Sequence, residues 1–156
     1  MKKVQIFVLF LLFCCGIISA QSADKVTEMI DAKTVSLGDV GYFAAAYFNI
    51  IDEDASPSEA LKVLESKTQY NKISNLENLS FDDFAYFCTQ TWNIKGGLML
   101  MATKSPRYAF KELQSLGYIS KSIYPNATID GIQALTIMSS CIEFSEENET
   151  INFESF

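Results

Sequence analysis

A chain of 156 residues carrying 19 acidic and 12 basic side chains has a net charge of −7, a balance that repels phosphate and makes nucleic acid and anionic membrane surfaces poor partners. It contains no histidine, which excludes imidazole general-base catalysis, Ser-His-Asp and Cys-His pairs, and most zinc or iron sites.

The chain opens on Lys2 and Lys3, an apolar run from Val4 to Phe13 and a small-residue end at Ile18-Ser19-Ala20. This pattern predicts an export signal over residues 1–20, cleaved after Ala20, because the apolar core is short for a membrane span. The alternative is a lipoprotein anchored through Cys14 or Cys15, although the residue before either cysteine is Phe13 or Cys14 rather than a small one. Loss of the signal removes two cations and takes the net charge from −7 to −9. What remains is enough for one compact domain, expected over 21–144, with 145–156 as an acidic, flexible tail.

Asp24 to Ala32 carries Val26, Met29 and Ile30 at helical spacing and predicts a short amphipathic helix. Ser36 can cap a helix with Asp39 in its first turn, and Tyr42, Phe43, Ala46, Tyr47 and Ile50 follow at intervals of three and four, to about Asn49. Ser56-Pro57 is a second start, since proline at the first helical position lacks only a donor that would be unpaired anyway. Its buried stripe is Ala60, Leu61 and Leu64. Residues 67–78 read as a polar connector in which Tyr70, Ile73 and Leu76 are docking points. Ser80, with Asp82 and Asp83, starts a helix that stops near Gly96. Pro106 opens another, which ends at Gly117, a residue suited to a left-handed cap. A further start lies at Thr128-Ile-Asp130.

Two of these segments recur. Ser36 to Ile50 matches Ser80 to Ile94, sharing Ser, Asp, Tyr, Phe, Asn and Ile at equal spacing. Ser56-Pro57-x-x-Ala60-x-Lys62-x-Leu64-x-Ser66 matches Ser105-Pro106-x-x-Ala109-x-Lys111-x-Leu113-x-Ser115. With the weaker start at Thr128 the order is A, B, A′, B′, A″, and no stretch alternates as a strand does. The expected fold is all-α: one domain of short stacked helices built from an internal duplication.

Candidate chemistry is sparse. Asp52-Glu-Asp54-Ala-Ser56 begins like a calcium loop, but Pro57 stands where a glycine turn is needed and Val63 where a bidentate glutamate is needed. Asp82-Asp83 and Glu146-Glu147 read as capping and solubility rather than acid/base pairs. No catalytic residue, metal site or cofactor is assigned. Cys88 and Cys141 are the cysteines left after the signal; they either form a disulfide or sit apart as small buried apolar residues. The stretch Trp92 to Tyr108 holds the only tryptophan, Gly96-Gly97, a methionine-rich run and the only arginine, a mixture found at interface cores. Trp92, Lys95, Arg107 and Tyr108 are therefore the candidate binding residues, and core packing with helix capping is the competing explanation. Asn78, Asn126 and Asn148 head glycan-acceptor triplets that carry meaning only in a eukaryotic source.

Two resemblances follow from the second half. Ala109-x-x-x-Leu113-x-x-x-Gly117-x-Ile119, Pro125 and Ala127-Thr128-Ile129 leading into Ala134-Leu135 resemble S-layer-homology-type helical repeats. That likeness implies an all-α protein attached to cell-envelope polysaccharide. Thr128-Ile129-Asp130-Gly131 stands where that family has Thr-Arg-Ala-Glu, so no polysaccharide-holding residue is carried over. Lys95-Gly-Gly-Leu-Met with Ser105-Pro-Arg-Tyr-Ala109 is similar to small exported proteins of spirochaetes, which implies an envelope location. The functional expectation is a non-enzymatic exported module, periplasmic or envelope-associated, with a protein or polysaccharide partner. The alternative is a small-ligand binder with an aromatic pocket of Tyr42, Tyr86 and Trp92.

Overall fold

The computed structural model describes residues 18–68 and 77–154, with side chains over 23–68 and 77–147. The apolar run Val4–Phe13, Cys14, Cys15 and the docking points Tyr70, Ile73 and Leu76 lie outside the described residues. Seven helices are found among those described: α1 (Ile18–Asp31), α2 (Leu37–Tyr47), α3 (Pro57–Lys67), α4 (Phe81–Thr91), α5 (Leu98–Thr103), α6 (Pro106–Ser115) and α7 (Gly131–Glu154). The all-α expectation holds, and among the described residues the β pairing amounts to one isolated bridge between Ser80 and Thr128.

Local chemistry explains where the helices start. Ser36 accepts from the amide of Asp39 while the Asp39 carboxylate accepts from the Ser36 amide at 2.9 Å; Ser56 and Glu59 repeat this reciprocal cap ahead of Pro57. Each arrangement satisfies donors that the first turn would otherwise leave open. The Ser80 hydroxyl donates to the carboxylates of Asp82 and Asp83 at 2.7 and 2.9 Å. Burial pushes the Asp83 carboxyl above the usual aspartate range, against the lowering effect of the Ser80 hydrogen bond.

The ends are equally local. Helix α2 closes with Asn49 at φ 53°, its amide donating to Ala46 and that of Ile50 donating to Ala45. Helix α4 closes alike, with Asn93 at φ 48° and the Ile94 amide donating to Thr89. Both are left-handed caps in which asparagine takes the place more often held by glycine. Gly117, at φ 83°, does the same for α6.

Three boundaries differ from expectation. Helix α4 ends at Thr91, short of Gly96, because Asn93 takes the left-handed cap. Helix α1 is already helical at Ile18, the first described residue, ahead of the expected start at Asp24, and of Val26, Met29 and Ile30 only Met29 is buried. Helix α7 continues to Glu154, so the backbone of the stretch expected as a flexible tail from Ser145 is helical to that residue. The reason is propagation: no proline or glycine follows Gly131, and extending an existing helix avoids the cost of nucleation.

The helices pack as pairs: α2 on α3, α4 on α6, and α1 on α7, with α5 on α6 and α4 also against α7. Helix α4 is central, with Phe84, Ala85, Phe87 and Cys88 fully buried. Where α2 meets α3 the backbones come close, since a Cβ on Gly41 would fall on Leu61. The segments preceding α2, α4 and α7 converge at one point. Val35 donates to the carbonyl of Ile129 (3.2 Å), Ile129 to that of Leu79 (3.3 Å), and Leu79 to that of Val35 (3.0 Å). All three side chains are buried in the core. Of the sequence-matched pairs, Ala60 and Ala109, Leu64 and Leu113, and Tyr42 and Tyr86 are buried.

Candidate interaction face

The stretch singled out in the sequence divides into three parts. Trp92 belongs to the core, at 4% exposure, stacked on Phe48 (6.3 Å between ring centroids) and edge-on to Phe87 (6.2 Å). It therefore cannot touch a partner directly, and its indole Nε1 and the neighbouring Thr91 hydroxyl have no hydrogen-bond partner among the described residues. The indole, just past the end of α4, packs on Phe48, which follows α2, and on Phe87 of α4, so this candidate binding residue is a core one.

Lys95 is exposed and leads into the second part, helix α5. It covers the methionine-rich run, for which the sequence leaves interface and core filling open and predicts no helix. Only Leu100 is buried; Leu98, Met99 and Met101 are 85%, 54% and 61% exposed. The helix is nonetheless held firmly. The Gly97 amide donates to the Glu112 carboxylate of α6 at 2.9 Å, and a Cβ on Gly96 would come within 2.9 Å of Leu100 and Glu112 side-chain atoms, so this glycine pair lets α5 lie close on α6. Lys104, at φ 45°, ends it.

Arg107 lies in the third part, a groove of about 480 Å³ between α6 and the loop before α7, whose polar lining includes Asp82, Arg107, Lys111, Gln114 and Lys121. The Gln114 side chain donates to the carbonyls of Ser120 (3.1 Å) and Ile123 (3.4 Å) and so fixes the loop wall. Tyr124, 75% exposed, stands at its rim. Tyr108 is half-buried beside it, with the Lys111 ammonium 5.7 Å from its ring centroid. Three cations facing one carboxylate make this groove locally positive on an acidic protein, and cations converging on an open groove favour an anionic ligand. The structure thus gathers Lys95, Arg107 and Tyr108 around α5 and α6, and leaves Trp92 out.

The remaining candidates resolve as follows. Cys88 of α4 and Cys141 of α7 are buried free thiols, and burial, with Cys141 as a neighbour, pushes the Cys88 thiol well above its ordinary value. The Asp52–Ser56 loop holds a cation of the protein's own: the Lys25 ammonium donates to the carbonyls of Glu53 (3.0 Å) and Ala55 (3.1 Å) and lies 3.8 Å from the centroid of the Tyr42 ring. The Tyr42 hydroxyl donates to the same Glu53 carbonyl. Tyr42 lines a groove with Lys25, Glu28 and Asp39, and neither Tyr86 nor Trp92 lines it. Among the described residues there is no group of three His, Cys, Asp or Glu side chains able to hold a metal ion, and no helix long and apolar enough to cross a membrane.

Fold and face together define an all-α protein with an apolar projection and a cationic groove on adjoining helices. Comparison with known protein families, with curated proteins and with solved structures finds no match.

Proposed function

We propose that the protein is a non-enzymatic interaction module, exported to the periplasm or cell envelope, which holds an envelope protein or polysaccharide in the groove of Arg107, Lys111 and Lys121. The observation that carries this reading is the local reversal of charge. Residues 84–111 contain Lys95, Lys104, Arg107 and Lys111 and no carboxylate, so the rest of the chain carries −11 of the net −7. An acidic protein that concentrates its cations around a groove with an exposed tyrosine at its rim has a surface suited to an acidic polymer or protein segment. The lack of histidine, the leader-like N-terminus and the two resemblances point the same way. The scaffold is an internal duplication in this reading: α2–α3 and α4–α6 are its two copies, and α1 closes against α7.

Crosslinking and pull-down from intact cells tests it, with cell fractionation alongside. Lys111→Glu with Lys121→Glu should release the recovered partner, whereas Lys62→Glu, the sequence counterpart of Lys111 on α3, should not. Equal recovery from both variants would refute the groove, and a cytoplasmic protein would refute the location.

A further inference from the structure

The ten residues between Ile94 and Ser105 exceed the five between Ile50 and Ser56 at the matching place, and the surplus forms α5. Insertions of this kind in repeated units map to one face, often the one that binds. Here the inserted helix turns Leu98, Met99 and Met101 outward while Leu100 and the Gly97–Glu112 hydrogen bond hold it in place. Exposing three large apolar side chains on an ordered support has a cost in water, and they are too few for a protein interface, which engages about 20 to 30 residues a side. A bilayer asks for less: a handful of apolar side chains reaching the acyl boundary, with cations beside them at the headgroups. Lys95 and Lys104, both exposed, flank the helix in that manner.

We propose that α5 is a lipid-docking element, with Leu98, Met99 and Met101 entering the interface of an anionic bilayer and Lys95 and Lys104 meeting lipid phosphates. The overall negative charge does not forbid this. At physiological ionic strength charges are screened beyond about 8 Å, so the two cations at the contact outweigh the one carboxylate beside them, Glu112, which is bonded to the Gly97 amide, and the lopsided distribution turns this face toward the membrane. Methionine suits the role, being flexible enough to pack among acyl chains. The inference adds a second surface to the groove proposed above and rests on the envelope location; the test runs on purified protein, so its failure and a failure of that location read separately.

The experiment is hydrogen exchange on the full chain with vesicles of phosphatidylglycerol and phosphatidylcholine, and with phosphatidylcholine alone. Anionic vesicles should slow exchange of the 98–103 amides at least about fivefold, while exchange in 4–13 reports separately on the leader. Leu98→Asp with Met101→Asp should weaken the α5 response at least about tenfold, as expected for losing buried apolar contacts, and Lys95→Glu with Lys104→Glu should abolish it. Both pairs are exposed, and unchanged thermal unfolding checks that the fold survives. Protection in the doubly substituted Asp protein, no protection with either vesicle, or equal protection by a soluble acidic polysaccharide or by raised protein concentration alone would each overturn the proposal.

Discussion

Val35 and Ile129, from distant parts of the chain, are joined by a backbone hydrogen bond of 3.2 Å, one side of a ring that Leu79 completes. Each residue immediately precedes the capping position of a helix, so the ring fixes where α2, α4 and α7 set out. Their side chains are fully buried in the core. Truncation should therefore cost a cavity and loosen three helix starts at once. Ile129→Ala and Leu79→Ala are each expected to lose about 2–5 kcal/mol, the range for large-to-small core changes. Urea unfolding followed by circular dichroism measures this, and a loss below about 1 kcal/mol at both sites would show that the ring is not a keystone.

Glycine substitutions separate three physical causes. A Cβ on Gly131 would fall on the main-chain carbonyl of Met29, which cannot swing aside, and the Gly131 amide is bonded to Ala32 at 2.9 Å. Gly131→Ala should thus cost about 3 kcal/mol or more, as severe overpacking does. On Gly41 the same methyl meets the end of the Leu61 side chain, which can rotate, so Gly41→Ala should cost less. At Gly117 nothing is within reach, and the cost of Gly117→Ala should be the left-handed backbone alone, about 1 kcal/mol. Thermal unfolding of the three variants should rank them in that order.

The Cys88 thiol gives a pH dependence with a definite sign. Its pKa in the folded protein lies above the ordinary value because burial opposes the thiolate. The stability this represents is complete below the unfolded thiol pKa and is lost as pH rises past it, since only the unfolded chain then releases the proton. Reduced protein should lose up to about 1.4 kcal/mol per pH unit above roughly pH 9 from this group. Cys88→Ala removes the effect, so the difference between the two proteins in urea titrations at pH 7.5 and pH 10 isolates it from tyrosine and lysine. Native Cys88 should also resist alkylation at pH 8 until denaturant is added.

Most helix starts were legible because their causes are local. Ser36, Ser56 and Ser80 cap within three residues, and Pro57 and Pro106 mark first turns. Asn49 and Asn93 stood among the matched residues too; their recurrence before an isoleucine was the visible trace of two left-handed caps. Helix α5 escaped because a six-residue apolar run has the composition of core whichever way it faces, and only the packing of Leu100 and Glu112 decides. Trp92 misled for the same reason. The ring of Val35, Leu79 and Ile129 is made of backbone groups, which leave no side-chain signature beyond an apolar residue ahead of each start. The cationic groove was half legible: Arg107 drew notice as the only arginine, but Lys121 and Tyr124 join it through a loop fold that spacing does not reveal.

The matched serines offer a sharper comparison, because equal sequence positions do not perform equal work. Ser56 accepts from the Glu59 amide and donates to its carboxylate at 2.7 Å, whereas Ser105 makes no side-chain cap, since Tyr108 replaces the glutamate three residues on. That hydrogen-bonding partnership also holds the Glu59 carboxyl below its ordinary value, chiefly through the Ser56 backbone amide. Ser36 caps as Ser56 does, and its partner Asp39 lies partly buried. Alanine at position 36 should cost about 1 kcal/mol and at 56 somewhat less, where solvent competes for the exposed bonds, while Ser105→Ala should fall within about 0.5 kcal/mol of wild type. Chemical denaturation of the three single variants reads the differences directly. A cost at Ser105 equal to that at Ser36 would mean that its hydroxyl caps α6 in solution after all.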